Sequence, residues 1–116
     1  MSLVDFLRRR KKFVDTVVFD DVGVTRTRTD GVTESIRWED VAEVGIVTTD
    51  EGPFAEDVFI LLLSADKKQG CCIPQGASGS QELLGRLQKL PGFDNKALIG
   101  AMGSTANANF TCWKKG

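Results

Sequence analysis

The sequence has no histidine and no tyrosine among its 116 residues. Every scheme built on an imidazole base, an imidazole metal ligand or a phenolic acid is excluded, which leaves carboxylates, lysines and thiols as acid–base groups. Cysteine is scarce and odd in number, with Cys71, Cys72 and Cys112. Adjacent cysteines rarely bridge because the ring is strained, so all three read as reduced thiols of a cytosolic protein. Zinc needs about four ligands, and three cysteines without CxxC spacing fall short. No metal and no cofactor is expected. Long apolar runs are also missing: the longest extends from Val58 to Leu63, against the ~20 residues of a membrane-spanning helix. No apolar signal core opens the sequence. A cytoplasmic location is expected.

What is present is the composition of a folded chain, 41% apolar and 27% charged with a net charge of -1, far from the disordered regime. Its length fits one domain over residues 1–116, since domains commonly run to ~100–150 residues. Charge is unevenly spread. Residues 1–12 hold five basic side chains and Asp5, residues 13–66 three basic and thirteen acidic, and residues 67–116 seven basic and two acidic. The middle is acidic and both ends are basic.

Over residues 1–14, Leu3, Phe6 and Leu7 recur at helical spacing ahead of Arg8, Arg9, Arg10, Lys11 and Lys12, which predicts a short amphipathic helix. Residues 17–74 read as antiparallel strands. The first is a hairpin from Val17 to Trp38 turning at Asp30-Gly31, for which two registers compete. A two-residue loop would pair Thr25 with Ile36 and mix apolar and charged side chains on each face. A three-residue loop, Thr29-Asp30-Gly31 with Gly31 left-handed, pairs Val22 with Trp38, Val24 with Ile36 and Arg26 with Glu34. The second register sorts the faces, giving Val22, Val24, Ile36 and Trp38 to the core. It makes Arg26 and Glu34 an exposed cross-strand pair worth at most ~1 kcal/mol.

Glu39 to Glu43 then reads as a turn or single helical coil, and Val44 to Thr49 as a third strand. The stretch Thr49 to Asp57 is a loop with a Gly-Pro breaker and four carboxylates. Val58 to Ala65 is apolar at every position up to Leu63, the pattern of a strand covered on both faces and the most buried of the set. Gly70 to Ile73 is a short strand ended by Pro74. Residues 80–102 read as two helices. In the first, Ser78 and Gln81 stand at capping-box spacing and Leu83, Leu84, Leu87 and Leu90 form one stripe. Asp94 caps the second, which turns Ala97, Leu98, Ala101 and Met102 inward. Residues 108–113 are the candidate last strand.

The fold class is therefore α+β: an antiparallel, strongly curved sheet packed by an amphipathic helix, with a second short helix and a final strand. The order of elements, with Ile36-Arg37-Trp38-Glu39-Asp40-Val41 leading from the hairpin into the next strand, resembles bacterial pleckstrin-homology-like domains over roughly Val17 to Leu90. The resemblance implies a partial barrel. Members close a barrel of about seven strands before one helix, whereas five strands precede the helix in this reading. Such domains host lipid, peptide and protein binding alike. The chain also resembles a small group of bacterial cytosolic proteins, and that likeness implies no chemistry.

The functional reading is a non-enzymatic binding or adaptor module that engages a protein partner through surface loops or a sheet edge. The densest polar cluster is Asp50, Glu51, Glu56 and Asp57, read as the partner-binding loop because loops carry recognition; it lacks the calcium-loop pattern. Gly76 to Ser80 lacks the spacing of a phosphate loop and reads as a helix entry. Ser78 and Ser80 have no histidine base and no GxSxG elbow. Three alternatives remain open: attachment to an anionic membrane surface through Arg8 to Lys12, an immunity-type inhibitor, and an enzyme using carboxylates or Cys71 and Cys72. Nucleic acid is disfavoured, since Arg8 to Lys12 is the one basic run. The residues set no oligomeric state.

Overall fold

The structure, a computed structural model, describes residues 15–50, 58–104 and 106–115. The expected helix over 1–14, with Arg8, Arg9, Arg10, Lys11 and Lys12, lies outside the described residues, as do Glu51, Glu56 and Asp57. The order is β1 (Thr16–Phe19), β2 (Gly23–Thr27), β3 (Thr33–Arg37), one 3-10 turn (Trp38–Asp40), β4 (Val41–Thr48), β5 (Val58–Ser64), β6 (Gly70–Pro74), α1 (Ser80–Leu87), α2 (Asn95–Met102) and β7 (Ala108–Lys114). The strands form two antiparallel sheets, β1-β2-β3 and β6-β5-β4-β7.

The α+β class holds, and the single curved sheet resolves into two sheets that do not close into a barrel. A side chain bridges the seam between them. The Glu34 carboxylate on β3 accepts the backbone N–H of Cys72 on β6 at 3.2 Å. That amide is satisfied by a side chain, where a continuous ladder would use a backbone carbonyl.

Six strands precede α1, one more than the sequence pattern gives, because Asp20 and Asp21 break the first predicted strand in two. Asp20 Oδ1 accepts the N–H groups of Val22 at 2.8 Å and Gly23 at 3.0 Å, an Asx turn that reverses the chain. The hairpin itself follows the three-residue loop: Val24 faces Ile36 and Arg26 faces Glu34. Gly31 takes φ 88°, the left-handed backbone that glycine adopts without cost to a Cβ.

Val17, Val24 and Ile36 from the first sheet meet Val44, Ile46, Ile60, Leu62 and Ile73 from the second in one buried cluster. Leu83 and Leu87 of α1 and Leu98 and Ala101 of α2 complete it. Two predicted core members differ. Val22 is 63% exposed because the Asp20 turn swings it outward, and Met102 is 39% exposed at the end of α2. The predicted Ser78 cap is replaced by Gly79 at φ 92°, where a Cβ would stand 2.2 Å from the Val17 carbonyl oxygen. The Asp94 cap is as predicted, its carboxylate accepting Ala97 N–H at 3.0 Å.

On β5, Val58, Ile60, Leu62 and Ser64 are buried while Phe59, Leu61 and Leu63 are partly exposed. The two faces are covered unequally: the side chains at alternate positions join the core cluster, and Phe59, Leu61 and Leu63 between them are half-buried.

Candidate functional site

Strand alternation sends Val24 and Ile36 inward and leaves Val18, Thr25, Ser35 and Arg37 on the outward face of the three-stranded sheet. The ladder places Val18 beside Thr25, Thr25 beside Ser35, and Gly23 beside Arg37. Twist of this small sheet turns that face into an open concavity of about 680 Å³, bordered by Asp20, Val22, Asp40 and Gln69. Val18 and Val22, 60% and 63% exposed, give it an apolar floor and lip, and hydroxyls, an amide and charged groups surround them.

Three hydrogen bonds keep its rim in shape. The Asp20 backbone carbonyl accepts Trp38 Nε1–H at 2.6 Å, and the Asp20 carboxylate holds the turn as described. Those backbone N–H groups, Gly23 first, lower the Asp20 pKa, so the carboxylate stays charged. Arg37 pairs with Glu39 at 3.1 Å, both mostly exposed. Behind the rim Trp38 meets the edge of Phe19 at 6.4 Å and lies under the Arg86 guanidinium at 4.7 Å, a cation–π contact that fixes α1 against the 3-10 turn. Trp38 is thus a structural post, half-buried against the core cluster and not inside it as its core assignment expected.

Arg26 is the main correction. The exposed pair expected with Glu34 is a half-sealed triad: Nε donates to Asp15 Oδ2 at 2.8 Å and Nη1 to Glu34 Oε1 at 3.1 Å, with the Arg26 side chain 14% exposed. Burial alone would lower the Arg26 pKa, but the two carboxylates outweigh it and raise the value.

The thiols lie apart. Cys71 points inward and is buried, whereas Cys72, next in the strand, stands on the outer face beside Leu61. Burial pushes the Cys71 thiol up to about 11, helped by the nearby Glu34 carboxylate; burial also raises Cys72 and Cys112. All three stay protonated at neutral pH, opposite to an activated nucleophile. Among the described residues no group of three or more Cys, Asp or Glu converges as a metal site.

Of the predicted partner-binding loop, Asp50 alone is described; its N–H donates to the Asn107 side-chain oxygen at 3.2 Å. Ser80 Oγ is committed to the Gln75 carbonyl at 2.5 Å. The residues that sequence reasoning missed are Val18, Val22, Ser35 and Arg37. Their signal was an apolar Val18 in a stretch where Val17 already faces the core. No helix of the described residues is long and apolar enough to cross a membrane. Compared with protein-family models, curated proteins and solved structures, the chain gives no match.

Proposed function

We propose that the chain is a non-enzymatic binding module whose outward three-stranded face receives an extended segment of a protein partner. The observation that carries this reading is the open concavity with Val18 and Val22 exposed inside a polar rim. An apolar anchor ringed by hydrogen-bonding groups is the usual plan of a protein recognition patch. Asp20, Arg37 and Asp40 supply charges of both signs at the rim, which suits a peptide carrying an apolar side chain flanked by polar ones. The likeness to pleckstrin-homology-like domains belongs to this proposal and agrees with it, because such folds bind peptides and proteins on one scaffold.

The test is a displayed library of extended peptides selected on the native chain. Binders should lose the Val18→Glu/Val22→Glu double variant, whose exposed positions leave the melting temperature nearly unchanged. Binding retained there but lost on Asp50→Asn/Glu51→Gln/Glu56→Gln/Asp57→Asn would transfer the site to the β4–β5 loop. Binding retained on both would remove the reading.

A further inference from the structure

The concavity does not end at its rim. Asp40 and Gln69 border it and also border a second hollow of about 320 Å³, whose further walls include Glu39, Ser64, Asp66 and Lys115. An extended segment seated on Val18 and Val22 therefore has a path past Asp40 into a second recess. The two differ in chemistry. Exposed Val18 and Val22 make the first an apolar seat, whereas Ala42 and Ala65 are the only apolar walls of the second.

We infer that the second recess receives a lysine or arginine side chain, so that the partner is a peptide with a basic residue a few positions from its apolar anchor, a step that rests on the peptide-binding reading and names the chemistry of its ligand. Charge complementarity carries it.

Over the two hollows the carboxylates of Asp20, Glu39, Asp40 and Asp66 stand against two cations, Arg37 and Lys115. Both cations are already engaged by Glu39. Arg37 Nη1 donates to its carboxylate at 3.1 Å, and Lys115 Nζ to its backbone carbonyl at 3.0 Å. Lys67 and Lys68, on the turn that carries Asp66, line neither hollow. The uncompensated charge of the walls is negative.

Two of these carboxylates are open to a ligand. Asp40 is exposed, and among the described residues no hydrogen bond or ion pair reaches its carboxylate. Asp66 Oδ1 accepts Ser64 Oγ–H at 2.6 Å and Lys68 N–H at 3.0 Å. Those bonds, the Ser64 hydroxyl first, lower its pKa and keep it charged, while its other oxygen has no partner among the described residues.

Their spacing selects the form of the cation. Among the described residues these carboxylates do not gather in a group of three or more around one point, so they make no cage for a bare metal ion. A cation on a long flexible stem meets spaced carboxylates singly, as lysine and arginine do. Extended chain sends alternate side chains to one side, which sets the basic residue two or four positions from the apolar anchor.

The experiment selects short peptides with a fixed leucine from a displayed library on the full chain, then follows the anisotropy of a labelled binder at ~50 and ~300 mM NaCl. Binders should carry Lys or Arg two or four positions from the leucine. Replacing that residue with Ala should weaken binding about fivefold, the scale of one exposed ion pair. Asp40→Lys should weaken the parent peptide about tenfold and strengthen the copy with Glu in place of the cation, and Asp40→Asn should flatten the salt dependence, with unchanged melting temperatures. Binders that need Val18 and Val22 but carry no basic residue, or that bind Asp40→Lys and the parent chain alike, overturn the inference and leave the peptide-binding reading standing. Absence of any binder lost on Val18→Glu/Val22→Glu removes both. Affinity that rises in Arg8→Ser/Arg9→Ser/Lys11→Ser overturns the inference by assigning the recess to the chain's own basic run, and a dimer in sedimentation that Asp40→Lys dissociates does so by assigning it to a second copy.

Discussion

Leu61 and Leu62 are identical side chains on consecutive residues, and they live in opposite surroundings. Leu62 is fully buried between the sheets, whereas Leu61 stands on the outer face beside Cys72. The same contrast separates Cys71 from Cys72 and, in the other sheet, Arg26 in its triad from Arg37 on the rim. Residue type is thus a poor guide to energetic weight in this molecule. Face decides, since one residue of register exchanges inside for outside.

The leucine pair gives the largest effect. Leu62→Ala should cost about 2–5 kcal/mol in urea unfolding, the lost transfer term plus a cavity. Leu61→Ala should cost less than about 2 kcal/mol, because the outer face can relax. Equal losses would mean that the two faces are packed alike and break the contrast.

The arginine pair comes next. Arg26→Ala leaves the Asp15 and Glu34 carboxylates without their shared cation, and about 1–3 kcal/mol should be lost, less than for a fully buried pair because the triad is partly solvated. Arg37→Ala removes an exposed pair and should cost under about 0.5 kcal/mol. A double-mutant cycle on Arg26 and Asp15 isolates the coupling itself.

The cysteine pair gives the smallest effect and a pH signature. The folded state holds the Cys71 thiol at about 11, above its ordinary 9.0. Between those values the unfolded chain has released a proton that the folded chain retains, so raising pH favours unfolding. This part of the stability is present below pH 9 and lost as pH rises towards 11. Urea midpoints from pH 8 to 10.5 should fall less steeply for Cys71→Ala than for the parent, while Cys72→Ala should track the parent more closely. Identical slopes for all three would show that burial at Cys71 carries no linkage.

Elements whose partners are near in sequence were legible in it. The hairpin register followed from sorting Val24 and Ile36 against Arg26 and Glu34, and Asp94 announced its helix because a cap acts within three residues. The Asp20 turn was legible only in part: an aspartate doublet inside an apolar stretch permits a turn, and the bonds to Val22 and Gly23 make it one. The candidate site was mostly hidden. Val18, Ser35 and Arg37 form a concavity only after three strands have paired and twisted, and no local pattern encodes curvature.

Composition and periodicity alone settled the α+β class, the strand over Val58 to Leu63, the hairpin and the inward stripe of α1, because each depends on hydrophobicity repeating at a fixed spacing along one segment. The division into two sheets, the sealing of Arg26 by Asp15 and the unequal burial of the two sides of β5 were decided by the tertiary structure. They depend on which segments meet, and a burial pattern states how much surface must be covered without stating by what.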